Sequence, residues 1–438
     1  MRPERLMDLC ARRTQQAEAY VVEYEQTMVQ FHDSRLKGIE TSRRRLAALR
    51  VVVEGRVGFS TSTREDDEET LVNNACELAR HGQEVSFDFP GPREVEGLPL
   101  VSREVVNLPL DEMVQMGTRF VDSLREGCPK ATGMAMISKL VGKVRLVNSA
   151  GFDEEYQKTV FTYFCGARVV EEGNFLTVFR MTTGTDLEAR LDRLNREVLE
   201  DLRLAQRNVP LPAGNYPAII HPRALPDLLR PLLASVNGQA VEKGVSPWRD
   251  RLGERLLDER FTLWDRPRAA ELARSAPFDD EGIPTQDRPI IEAGVLKCFL
   301  LDLRTAAALG MPPSGNGWRQ QPSAESLPSP GPSNLVLEPG EEALAEMIAG
   351  TKRGVLVKSL MGAWAGNPYS GQVSGNVDLG ILIEDGQPVG RVKDCMFATN
   401  VFEAFRDHLE ALSRETEITR SGRLPYVKLA TASFSTRN

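Results

Sequence analysis

Histidine is scarce in this chain. The 438 residues hold four, His32, His81, His221 and His408, and no two lie close enough in sequence to make a local zinc clamp. Each reads as a surface or cap residue, and His221 followed by Pro222 fits a helix entry. Cys10, Cys76, Cys128, Cys165, Cys298 and Cys395 are scattered without a C-x-x-C pair. The chain opens on Met1-Arg2-Pro3-Glu4-Arg5, which leads into a charged amphipathic segment rather than a signal-peptide core, so these thiols are expected to be reduced. Long apolar runs are missing too: none reaches the roughly 18 residues of a helical membrane span. The expected location is the cytoplasm. Positive charge is in deficit, with 54 Lys and Arg against 62 Asp and Glu and a net charge of −8. That balance argues against nucleic acid or an anionic membrane as the partner of the whole chain, while leaving room for a local basic patch. There is no Gly-x-Ser-x-Gly elbow, no Walker loop and no dinucleotide fingerprint.

What is present is an ordinary globular composition, 41% hydrophobic and 26% charged, in a chain long enough for two or three well-buried cores. Residues 4–16 fit a short helix, and Tyr20, Val22 and Tyr24 alternating with glutamates fit a half-buried strand. Residues 47–53 are strand-like. Asp66 to Glu69 load acid onto the start of a helix whose apolar face is Leu71, Ala75, Leu78 and Ala79. A second amphipathic helix carries Leu110, Met113, Val114, Gly117, Val121 and Leu124. Strands follow from Met134 to Phe179. Asn148-Ser149-Ala150-Gly151 marks a turn, with an Asx-type reversal weighed above a functional role. Leu187, Leu191, Leu194, Val198 and Leu202 stripe a charged helix, and residues 208–212 read as a linker. Beyond it come a strand at 216–220 and a helix from Ala224 to Val236 too apolar to lie exposed, with Pro226 tolerated in its first turn. Residues 321–340 carry five prolines and read as a mobile excursion. Asp385-Gly386 is a hairpin signal between strands.

The richest stretch runs from Phe278 to Arg319. Asp279, Asp280 and Glu281 are adjacent before a turn at Gly282 and Pro284, and three such carboxylates repel unless solvent, donors or a cation offset them. A hard cation there competes with a solvated or Arg-paired turn. Ile290, Ile291, Val295 and Leu296 read as strand around Gly294, and Thr305 to Leu309 as a short helix. Ser314-Gly315-Asn316-Gly317 is a second turn, followed by Trp318 and Arg319. Asn316 sits between two glycines, and the five donors of Arg319 suit either a peptide carboxylate or the acidic turn.

Three sub-motifs occur in order: Phe278-Asp279-Asp280-Glu281-Gly282, Ile291-Glu292-x-Gly294-Val295-Leu296, and Gly315-Asn316-x-x-Arg319. Together they resemble the central signature of the TldD/PmbA family, and the resemblance covers most of residues 50–410. In the TldD branch a helix carries His-Glu-x-x-x-His for zinc, and a C-terminal Cys adds a ligand. The corresponding helix here reads Pro231-Leu232-Leu233-Ala234-Ser235-Val236-Asn237-Gly238, without His or Glu, and residues 424–434 hold no Cys. The chain therefore resembles the PmbA (TldE)-like branch that lacks the zinc motif.

That resemblance implies an α+β fold, with an α+β N-terminal half and a mainly β C-terminal half with a few helices. The expected segments are 1–105, 106–212 and 213–438. It further implies a non-catalytic subunit paired with a TldD-like zinc protease, or a self-associated dimer, that shapes a chamber for extended peptides and binds them by strand addition. No catalytic residue and no cofactor of its own are expected, zinc belonging to the partner. Peptide contacts are assigned to Asn316, Arg319, Asp279, Asp280 and Glu281. A self-assembling peptide-binding protein, or a hydrolase with a metal at the acidic turn, remain the competing classes.

Overall fold

The computed structural model describes residues 2–171, 174–187, 191–319 and 325–436. The fold is α+β. Its first part is an antiparallel sheet of six strands: β1 Gln16–His32, β2 Arg35–Val53, β3 Arg56–Ser62, β4 Thr132–Asn148, β5 Asp153–Glu171 and β6 Asn174–Gly184, in the order β3-β2-β1-β4-β5-β6. Strands from both sides of residue 105 thus share one sheet, with β1 paired to β2 and to β4. The strand expected at 47–53 is the inner end of β2, whose outer half carries Arg43, Arg44 and Arg45.

Side chains on a strand alternate between faces, and here each face has its own work. One face is roofed by helices. Ala17, Ala19 and Val21 pack with Ala47, Leu49 and Val51 beneath α1 Pro3–Cys10 and α2 Glu68–Ala79. A turn of five residues, α3 Arg103–Asn107, precedes the long α4 Leu110–Gly127, which buries Met113, Phe120, Val121 and Leu124. With α5 Leu191–Ala205 it covers Val29, Phe31, Ile137, Phe161 and Tyr163 farther along the same face. Each such fully buried side chain stabilises the layer by about 1.5–3 kcal/mol before conformational entropy is counted. Residues 188–190 of the expected Leu187 stripe lie outside the described residues. The other face carries Glu18, Tyr20 and Val22, and it meets the C-terminal half.

That half is built on a twelve-stranded sheet. Within it the strands Gly214–Ile220, Arg353–Met361, Gln372–Glu384, Cys395–Asn400 and Gly422–Thr436 pair in sequence and close into a ring. α6 Leu225–Val236 buries Leu225, Leu228, Leu229, Leu232 and Val236 in the large core around it. The expected linker differs: Asn208–Val209 is a short strand pairing with Arg391 and Val392. The Pro-rich excursion differs as well. Residues 320–324 lie outside the described residues, but Pro330 pairs with Gly317, and Leu335–Leu337 is a buried strand. Prolines there occupy positions whose N–H the ladder does not need.

Candidate functional site

The acidic turn and Arg319 come together in the interior, where the C-terminal half meets the first sheet. Arg319 donates from Nη2 to Glu18 Oε1 at 3.0 Å. Arg50 donates from Nη2 to Glu18 Oε2 at 2.8 Å and from Nη1 to Glu281 Oε1 at 2.6 Å. Glu281 Oε2 accepts the backbone N–H of Leu303 at 2.7 Å, the first residue of a helix spanning Leu303–Leu309. The charges therefore alternate along a line, Arg319–Glu18–Arg50–Glu281, that ends on the unpaired N–H groups of a helix start. Aromatic faces wall the line. The Arg50 guanidinium stands 4.8 Å from the Phe89 ring centre, and that of Arg319 stands 5.1 Å from Tyr20 and 5.5 Å from Phe59.

The remaining acids are tied to backbone. Asp279 Oδ1 accepts the N–H groups of Glu281 at 3.0 Å and Ile283 at 2.9 Å, and its Oδ2 accepts that of Gly317 at 2.9 Å. Asp280 Oδ2 accepts the Arg319 N–H at 2.7 Å, and Tyr20 also hydrogen-bonds this carboxyl. Asn316 Nδ2 donates to Asp265 Oδ2 at 2.6 Å and to the Gly331 carbonyl at 3.0 Å, while its Oδ1 accepts from the Ser314 hydroxyl at 2.7 Å. Gly317 is required by contact: a Cβ there would sit 2.3 Å from Glu281 Oε2. Acids outnumber bases in this interior. Burial pushes Asp280 above the usual carboxylate range, and burial with the neighbouring Glu281 charge pushes Asp279 well above it. Burial also pushes Glu281 up to about 7, with Arg50 pulling the other way.

These contacts change the role expected of the five residues. Asn316, Arg319, Asp279, Asp280 and Glu281 do converge, but each is only 1–2% exposed. In this conformation a peptide has no direct access to them: Arg319, Asp280 and Glu281 face Glu18, Tyr20 and Arg50 across the joint between the halves, and Asp279 and Asn316 are tied to partners within the C-terminal half. Arg319 pairs internally with Glu18 and with the Ser326 carbonyl, and the acidic turn reaches it through its backbone N–H. A metal at the turn is not supported by the donor arrangement. Asp279 offers its oxygens to three N–H groups, and among the described residues no cluster of three or more His, Cys, Asp or Glu could hold a metal ion.

The helix that the family resemblance matches to the zinc helix is α6, with the turn after it. α7 Gly238–Glu242 starts at once from Asn237, whose Oδ1 accepts the Gln239 N–H at 2.9 Å and whose Nδ2 donates to the Pro330 carbonyl at 2.7 Å. A cavity of about 380 Å³ opens beside these helices, lined among others by Arg230, Asn237, Lys243 and Tyr369. Zinc needs imidazole, carboxylate or thiolate donors. Two cations, amides and a phenol do not supply them, so the residues present do not fit the metal.

The sequence reading missed Glu18 and Arg50. Their signal was available: Arg50 interrupts the apolar run Ala47–Val53, and Glu18 falls between Ala17 and Ala19 in a strand buried at that end. The Asn148 turn is as expected. Its Oδ1 accepts the N–H groups of Ala150 at 2.9 Å and Phe152 at 3.1 Å, and its Nδ2 donates to the Pro90 carbonyl.

Known proteins share this frame. A profile of the PmbA/TldA metallopeptidase C-terminal domain matches residues 213–436, and one of PmbA/TldA metallopeptidase domain 1 matches residues 17–79. An uncharacterized protein of Methanocaldococcus jannaschii is 26% identical over 364 residues, 82% of each chain. A metalloprotease of the same organism is 23% identical over 414 residues, 90% of this chain and 89% of that one. The crystal structure of TldE from Thermococcus kodakarensis superposes with a TM-score of 0.91 over 99% of both chains at 22% identity, a likeness of fold. With one profile spanning half of its length, the chain belongs to the TldD/PmbA family of metallopeptidase-related proteins.

Proposed function

We propose that this chain is the non-catalytic subunit of a TldD/TldE-type metallopeptidase, paired with a zinc-bearing homologue and shaping the chamber in which extended peptides are cleaved. The observation that carries the reading is the α6–α7 cavity. The helix is packed by its leucine face into the large core, yet the wall beside it presents Arg230 and Lys243 instead of metal donors. Zinc belongs to the partner in this reading. The buried ionic line holds the two halves in one geometry, so the signature residues act by positioning the chamber walls rather than by touching peptide.

The test is reconstitution. Alone, the dialysed protein is expected to carry no stoichiometric zinc and to leave unfolded peptides intact, while added to a zinc-bearing homologue it co-purifies and raises peptide turnover. About one tightly held zinc per chain, which needs three or four organised ligands, overturns the reading. So does chelator-sensitive peptidase activity of this chain alone that survives repurification. Self-association without any gain in the homologue's turnover would replace it with a self-assembling peptide-binding protein.

A further inference from the structure

Beyond the ionic line, the same sheet face forms the floor of a groove of about 370 Å³, within the usual size range for small-ligand sites. Two cross-strand rows lie in it, Val22–Val144–Tyr156 and Tyr24–Gly142–Lys158. Gly142 has no side chain, and Leu140 Cδ2 lies 3.2 Å from where a Cβ would stand, adding to the apolar floor. The opposite wall comes from the C-terminal half and carries Arg274, Trp318 and Arg420.

The charged side chains that line this floor are of one sign. Lys158, Arg274 and Arg420 line it, and none makes a side-chain hydrogen bond or salt bridge among the described residues. Lys158 rests 6.0 Å from the Tyr156 ring centre. The nearest acids, Asp280 and Asp265, attract Lys158 and Arg274 through space but hydrogen-bond elsewhere: Asp280 accepts the Arg319 N–H, and Asp265 accepts from Ser333 and Asn316. Trp318 is 8% exposed, and its Nε1–H has no acceptor among the described residues. An apolar floor ringed by three cations without ion-pair partners is complementary to an apolar anion.

We propose that this groove binds the C-terminal end of an extended apolar peptide, with its side chains on the Val22–Val144–Tyr156 floor and its α-carboxylate among Lys158, Arg274 and Arg420. The anion relieves the mutual repulsion of the three cations and gains charge-assisted hydrogen bonds. Gln26, also lining the groove, donates from Nε2 to the Ser138 hydroxyl at 2.9 Å, which turns its Oε1 toward a peptide N–H, a donor that an alkyl acid lacks. The choice of a peptide rests on the subunit reading above; the anionic, apolar character of the ligand does not.

Burial, reinforced by Arg274 and opposed by Asp280, draws the Lys158 ammonium down to about 8. Tyr24, Tyr156, Arg420 and Lys143, the last paired with Glu155, complete the titratable groups on the walls. Affinity is accordingly expected to fall as pH rises through 8, where Lys158 loses its charge.

The experiment uses the full chain and a tetrapeptide of Leu and Val, as the free acid and as the C-terminal amide, followed by calorimetry. The acid should bind about tenfold or more tightly than the amide, the span expected for hydrogen bonds to a charged group. Lys158→Met should remove that preference and Lys158→Arg should restore it. Because Lys158 is half-buried, the exposed pair Arg274→Met/Arg420→Met provides a second route to the same loss. Equal binding of acid and amide, or an acid preference unaffected by both variants, overturns the proposal. A medium-chain fatty acid that binds this groove more tightly than the peptide overturns the peptide assignment. The reconstitution assay reads separately: groove binding without activation of the zinc-bearing homologue sinks the subunit reading alone, and activation without groove binding sinks this one alone.

Discussion

Replacing Arg319 with Met removes one end of the line Arg319–Glu18–Arg50–Glu281 while keeping an apolar side chain of similar reach. Glu18 then loses its 3.0 Å partner at a site that is 0% exposed, with only Arg50 left to balance it. The contacts of the guanidinium with Tyr20 and Phe59 are lost as well. Removing one partner of a buried pair costs about 3–5 kcal/mol, mostly for the charge left behind. Urea unfolding followed by circular dichroism should show that loss as a lower midpoint with an unchanged slope. A double-mutant cycle with Glu18→Gln separates charge from packing. Once Glu18 is neutral, Arg319→Met should cost about 2 kcal/mol less than it does alone, within the range for residues in one network. The reasoning is refuted if Arg319→Met costs less than about 1 kcal/mol, or if the two substitutions add without coupling.

Two further outcomes concern the same joint and a third the Asn148 turn. Glu281 is raised by burial to about 7, so its favourable contribution is full below its ordinary range and is lost as pH rises through 7. The stability advantage of wild type over Glu281→Gln should therefore shrink between pH 5 and pH 8, and a difference independent of pH contradicts the assignment. Gly317→Ala places a Cβ 2.3 Å from Glu281 Oε2 and should destabilise by about 1–3 kcal/mol, the usual range for overpacking; a neutral thermal shift would show that the carboxylate lies elsewhere. Asn148→Ala strips the acceptor from the Ala150 and Phe152 N–H groups and should cost about 1–3 kcal/mol, while Asn148→Asp keeps the acceptor and should cost less.

Much of the fold was legible along the chain because its cause is local. The apolar spacing of Met113, Val121 and Leu124 requires a helix with one buried face, and α4 is that helix. Asp385-Gly386 needs two residues at positive φ to turn a tight hairpin, and they adopt 46° and 75°. Residues 279–281 and 315–319 read by spacing alone as two separate turns; the family resemblance grouped them, and the structure joins them.

Tertiary structure alone decided which way those residues face and what they meet. Arg50 and Glu281 are 231 positions apart, and Glu18 and Arg319 are 301 apart. No local periodicity pairs residues at such distances. A charged residue in a strand reads the same whether it points to water or to an opposite charge. The difference lies in the second layer. When the C-terminal half covers the face of β1 and β2, Glu18 and Arg50 lose water, and that loss is offset only by the partners the covering loops supply. The same covering leaves Lys158 beside an open groove, so one sheet face carries both a closed ionic joint and a groove lined by cations.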